Sequence, residues 1–165
     1  MINKNVLDRM NEQIAHELYS GYLYLSMSAY FEAENLPGFA HWMRVQAAEE
    51  QVHAMKFFDF ILDRGGKVVL KTIDEPPADF ASPQAVFAQS YEHEQKVTGL
   101  INDLYNLSAS EKDLPSQIFL QWFIDEQVEE EKNASQILEI LKKIGTGVGG
   151  LYQLDHRLSK RGDED

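Results

Sequence analysis

The chain contains no cysteine. That excludes disulfides, zinc ribbons, cysteine-held iron–sulfur centres and thiol nucleophiles, and it suits a reducing compartment. Basic residues are scarce: 15 Lys and Arg stand against 27 Asp and Glu, a net charge of -12. Nucleic-acid binding needs a basic footprint, so no nucleic-acid partner is expected; an acidic surface draws cations instead. Long apolar runs are missing too. The longest uncharged stretch, Leu18 to Phe31, is too short to span a bilayer and is broken up by Tyr and Ser. Met1 to Val6 has no apolar signal-peptide core. The expectation is a cytoplasmic protein with no membrane partner. Proline and glycine are few and clustered, which leaves long uninterrupted segments between them.

Those segments carry the fold. Hydrophobic residues make up 44% of the 165, enough for one compact domain with a real core. Apolar residues recur at helical spacing, so the class is all-α. Four long helices are predicted at about 5–33, 38–64, 83–110 and 115–144, with a short fifth at about 150–159, in a single domain spanning 1–165. The punctuation is Leu36-Pro37-Gly38, Gly65-Gly66, the N-cap pair Ser82-Pro83, Pro115, and the run Gly145 to Gly150. That glycine run lacks the Lys-Ser/Thr of a phosphate loop and reads as a hinge. Leu151, Leu154 and Leu158 would seat the fifth helix. The charged tail from Lys160 to Asp165 reads as frayed, and its Arg161-Gly162-Asp163 as accidental.

Connection lengths set the topology. The first–second and third–fourth turns are short, so each pair is an antiparallel hairpin. The middle connection of about 17 residues can reach about 55 Å when extended. A helix of about 27 residues is only about 40 Å long. The connection can therefore run the length of the bundle and make the second and third helices parallel. The expected architecture is a four-helix bundle, up-down-down-up with one long crossover, plus the short fifth helix.

Into each apolar stripe one carboxylate is set. Glu17 lies between Met10 and Tyr24, Glu50 follows Met43, Glu94 lies between Phe87 and Ile101, and Glu130 lies between Phe123 and Ile137, each one heptad apart. His53 is one turn from Glu50 on the same face. All four glutamates sit near the midpoint of their own helix, and midpoints coincide in a bundle whatever the helix direction. Four buried carboxylates without counter-charge would cost more than a typical total stability of about 5–15 kcal/mol. A pair of metal ions is the economical compensation. One Glu from each of two helices plus Glu-x-x-His is the carboxylate di-iron pattern. The second half departs from it, with Gln127-x-x-Glu130 opposite Glu50-x-x-His53. The two metal positions would then be unequal, the second weaker.

Glu49, Glu126 and Glu129 flank this level as a shallower third metal site or as a solvated face. Tyr24 is one heptad beyond Glu17, placed to bond a ligand, to supply an electron, or simply to fill core. Tyr19, Leu23 and Tyr30 form a second apolar stripe on the first helix, roughly opposite Glu17. A helix apolar on both sides is buried on both, so this stripe is expected to meet a second copy of the chain.

The sequence resembles the bacterial non-haem ferritins. The likeness is carried by Asn11-Glu12-Gln13 through Glu17-Leu18-Tyr19-Ser20, Glu49-Glu50-x-x-His53, His93-Glu94-Gln95, and Phe119-Leu120-Gln121-Trp122 running into Glu126-Gln127-x-Glu129-Glu130-Glu131-Lys132. Gly150-Leu151-Tyr152 adds to it. The resemblance implies iron storage: a cage of twenty-four subunits that oxidises Fe(II) with dioxygen or hydrogen peroxide and stores ferric mineral inside. It assigns Glu17, Glu50 and His53 to a first iron, and Glu50, Glu94 and Glu130 to a second, with Gln127 close by. Glu49, Glu126, Glu129 and Glu130 would hold a third. It gives Tyr24 a place beside the centre and the fifth helix a place along four-fold axes. Bacterioferritins resemble the chain too, but they carry a haem-ligating Met where this chain has Gln51, so no haem is expected. A non-catalytic metal buffer and a di-metal oxygenase share the carboxylate pattern; the chain has no spare segment for an organic-substrate pocket.

Overall fold

The structure is a computed structural model and describes residues 2–162. The described residues form five helices: α1 (Lys4–Ala33), α2 (Pro37–Asp63), α3 (Pro83–Ser110), α4 (Leu114–Ile144) and α5 (Val148–Leu158). Every boundary falls within two residues of its predicted place. Asp163 of the Arg161-Gly162-Asp163 triplet lies outside the described residues.

Local chemistry explains the ends. Asn3 caps α1 by accepting from the backbone N–H groups of Asn5 and Val6, and Ser82 caps α3 by accepting from Ala85 at 3.1 Å. Asp113 caps α4 through Ser116 N–H and is itself held by Arg64 at 3.0 Å. Leu36 has no side chain to cap α2. Asp155 of α5 takes over that task and accepts from Phe39 N–H at 3.0 Å. The approach is so close that a Cβ on Gly38 would lie 1.8 Å from the Asp155 carbonyl oxygen. Glycine is required there, and α5 is fastened across the start of α2.

Contacts between elements fix the directions. Phe31, Phe39 and Phe87 meet at one end, placing the C-terminus of α1 beside the starts of α2 and α3. Arg64 meets Asp113 at the other end, where α2 finishes and α4 begins. The bundle is therefore up-down-down-up. The crossover runs alongside α1. Asn11 grips its start, donating to Lys67 O at 3.1 Å and accepting from Val69 N–H at 2.7 Å. Ser26 donates to Pro77 O at 2.6 Å, and Phe80 meets Tyr30 near the far end.

Two expectations meet contacts from within the chain. The stripe Tyr19, Leu23 and Tyr30 is packed in part by the chain itself, with both tyrosines half-buried. Leu23 is 1% exposed, Tyr19 packs on His93, and Tyr30 packs on Phe31 and Phe80. α1 is flanked by α2, α3 and the crossover, and Tyr19 and Leu23 still line an open groove with Ala88 and His93 of α3. The fully exposed large apolar side chains of α1 are Tyr22 and Leu25, on a second groove with Ile73 and Gln51. In the tail, expected to fray from Lys160 to Asp165, Arg161 is docked on Trp42 and Glu49, while 163–165 lie outside the described residues.

The core is in two pieces. One holds Leu23 to Phe31 of α1, Phe39 to Ala47 of α2, Val86 and Phe87, and Ile137 to Leu141, with Leu154 and Leu158 of α5. The other holds Val6 to Ile14, Ala54 to Ile61, Val97 to Leu104, Leu120 and Phe123. On all four long helices a buried polar layer separates them.

Candidate metal centre

That layer is where the stripe carboxylates lie. Glu17 from α1, Glu50 and His53 from α2, Glu94 from α3, and Gln127 and Glu130 from α4 are each at most 4% exposed. Donor atoms of Glu17, Glu50 and His53 lie within 4.8 Å of one another, and so do those of Glu50, Glu94 and Glu130. Glu50 is common to both sets. A third set joins His53, Glu126 and Glu130. Glu49 and Glu129 enter none of these sets: Glu49 is engaged by Arg161 at 2.5 Å, and Glu129 is exposed.

Amides hold the carboxylates in place. Gln13 donates to Glu17 at 2.8 Å. Gln46 donates to Glu130 at 2.6 Å and to Glu50 at 3.2 Å, tying α2 to α4. Gln127 donates to Glu94 at 3.2 Å and to Thr98 at 3.3 Å. The Tyr24 hydroxyl donates to Glu94 and receives Ser90 at 3.4 Å. His53 Nδ1 lies 3.3 Å from Glu50 and its Nε2 3.7 Å from Glu126. Trp122 and Phe123 close over the ring of His53.

The predicted residues thus come together, apart from Glu49 and Glu129. Gln13, Gln46 and Thr98 were missed. The signal for the two glutamines was available: each stands four residues before a stripe carboxylate, on the same helix face. Ser20 and His93 were also missed as a pair, joined at 2.7 Å beside the layer. Burial holds His93 down to about 4, so it is neutral at pH 7.

The electrostatics are those of acids crowded without counter-charge. Burial raises the proton affinity of Glu17, and the charge of Glu50 adds to it. Burial raises Glu50 likewise, reinforced by Glu94 and Glu130. Glu94 is raised by burial. Burial and the charge of Glu94 push Glu130 up to about 8. Tyr24 is pushed up by burial and by Glu94. Two protons or two cations relieve such a cluster equally in kind, but a divalent or trivalent cation relieves more charge per ion. The donors are carboxylate oxygens with one imidazole, a set for hard and borderline metals such as iron. Gln46 Oε1 is buried with no donor in reach, an acceptor left over in a layer already full of acceptors. That, too, fits a layer organised for cations.

Comparison with known proteins agrees with this geometry. Residues 7–144 match the Ferritin-like domain family. The bacterial non-heme ferritin of Bacteroides fragilis is 42% identical over 161 residues, covering 98% of this chain and 100% of that protein. That of Escherichia coli O157:H7 is 36% identical over 159 residues, 96% of each chain. An open-pore ferritin structure from Archaeoglobus fulgidus superposes with a TM-score of 0.97 at 48% identity, covering 98% of this chain and 99% of that one. With its bundle, its fifth helix and these relatives, the chain belongs to the ferritin family.

Proposed function

We propose that this ferritin stores and detoxifies iron by acting as a ferroxidase within each subunit. The observation that carries the reading is Glu50, one carboxylate shared by two converging donor sets. Glu17, Glu50 and His53 take the first Fe(II). Glu50, Glu94 and Glu130 take the second, with Gln127 orienting Glu94. Iron is here the substrate. Each Fe(II) gives one electron to dioxygen or to hydrogen peroxide. Anionic oxygen donors favour Fe(III) over Fe(II), which lowers the barrier to that step. The second set lacks an imidazole, so its ion is held less tightly and leaves more readily as ferric product.

Glu126, Glu129 and Glu130, with Glu49, form a third iron position on the way out. Tyr24 sits on Glu94 and is placed to steady that ligand or to supply an electron. No haem is bound, since Gln51 offers no thioether. The mineral, a ferric oxyhydroxide, collects inside a cytoplasmic shell of twenty-four subunits, with α5 along the four-fold axes. The exposed groove of Tyr22, Leu25 and Ile73 supports self-association. The archaeal relative is described in open-pore and engineered closed forms, which supports a hollow assembly here.

The test is stopped-flow titration of the metal-free protein with Fe(II), recording oxygen uptake, with particle size from light scattering. The expected result is a fast phase saturating at two or three irons per chain on a large particle, lost in His53→Ala. Binding without fast oxidation would leave a metal buffer and remove the enzyme.

A further inference from the structure

Glu49 points to a device that the ferritin reading does not contain. Its carboxylate receives Arg161 Nη2 at 2.5 Å. The same guanidinium lies over the Trp42 indole, 4.2 Å from the ring centre, and Nη1 donates to the Trp42 carbonyl at 3.4 Å. The Arg161 carbonyl faces a ring nitrogen of His41 at 2.9 Å. Its side chain is 19% exposed. A residue beyond the last helix is thus pinned by charge, stacking and backbone bonds beside the metal layer. The negative neighbours that Glu49 feels are Glu126 and Glu129, so the guanidinium sits where a cation would be drawn.

We propose that Arg161 is a positioning residue that sets the metal affinity of the third cluster by occupying Glu49. The proposal rests on the ferritin reading of the centre. An oxygen that accepts a guanidinium N–H at 2.5 Å is not free to bind a metal. Arginine keeps its charge at every working pH, so it leaves only when a stronger cation displaces it or the tail moves away. The set His53, Glu126 and Glu130 converges without Glu49. With Arg161 seated, the third position has Glu126, Glu129 and Glu130 and holds an ion loosely, because His53 serves the first ion. With Arg161 displaced, Glu49 Oε2 is released to it and a neighbouring positive charge is gone, and it holds the ion longer. The tail therefore tunes how long iron pauses between the buried pair and the interior.

The probe is Co(II), which does not turn over. The assembled metal-free protein is titrated anaerobically by calorimetry and by visible absorption. Arg161→Gln should bind the third Co(II) about tenfold more tightly, the scale of a partly buried charge-assisted pair. The first two Co(II) should bind as in the parent. Arg161→Lys, which keeps the charge, should restore the weak third affinity. In Glu49→Gln the Arg161→Gln change should have a much smaller effect on the third ion, since only the loss of the nearby positive charge remains. An unchanged third affinity in Arg161→Gln, a gain that persists undiminished with Glu49→Gln, or an equal gain in Arg161→Lys would each overturn the proposal. A protein that binds no Co(II) at the two inner positions would sink the reading of the centre itself and this proposal with it.

Discussion

Glu130→Gln removes one charge from the crowded layer while keeping the shape. The new side chain still offers a carbonyl oxygen to Gln46, which donates to Glu130 at 2.6 Å. In the folded metal-free protein Glu130 binds its proton up to about pH 8, against an ordinary value of 4.5. The folded state therefore holds a proton that the unfolded chain has released, and stability falls as pH rises across that window. At 1.36 kcal/mol per unit, the whole shift is worth about 5 kcal/mol, none of it felt well below pH 4.5 and all of it above pH 8. Between pH 5 and 8.5 the parent should lose about 4 kcal/mol from this group alone. Urea unfolding of metal-free protein, at one protein concentration because assembly is linked to stability, measures it. Glu130→Gln should flatten the slope and be the more stable protein at pH 8.5. A variant less stable than the parent at pH 8.5, or a parent with no loss of stability over this range, would refute the claim that these acids are buried against one another.

Two further perturbations probe the scaffold. Gly38→Ala places a Cβ 1.8 Å from the Asp155 carbonyl, so α5 must lift from the start of α2. Its melting temperature should fall and the segment after Ile144 should become open to protease, at a cost of about 1–3 kcal/mol; an unchanged melt and cleavage pattern would contradict the docking of α5. Asn11→Ala frees the crossover at Lys67 and Val69 and removes two part-buried hydrogen bonds, about 1–2 kcal/mol. Limited proteolysis should then cut between 67 and 82, with the helices intact; resistance equal to the parent would show that the clasp is unimportant.

Much of this was legible in the sequence because helix breakers are sparse and stripe carboxylates obey helical spacing. Pro37, Ser82-Pro83 and Pro115 placed the helix starts by local chemistry alone. Glu17, Glu50, Glu94 and Glu130 met because bundle midpoints align, which needs no knowledge of side-chain contacts. What escaped was decided by partners far along the chain. Periodicity says that Tyr19, Leu23 and Tyr30 are apolar; it does not say that His93 of α3 and Phe80 of the crossover pack against the two tyrosines. Asp155 capping α2 is a contact across 116 positions, and Arg161 on Glu49 one across 112. No local pattern announces either. Gln46 stands one turn before Glu50, a local signal, but its bond to Glu130 crosses between helices and has none.

The polar layer divides the apolar interior into two half-cores that share no cluster. Each half is an apolar block, and helical backbone with a layer of hydrogen-bonded acids and amides joins them. In mechanical language the subunit is two stiff segments with a compliant waist. Such a body bends and breathes at its middle, and hydrogen exchange should register the waist as the first internal region to open. Cations bound there would act as rivets, drawing four helices together where packing alone does so least. The subunit would then be most rigid with cations bound at its middle and most pliant without them.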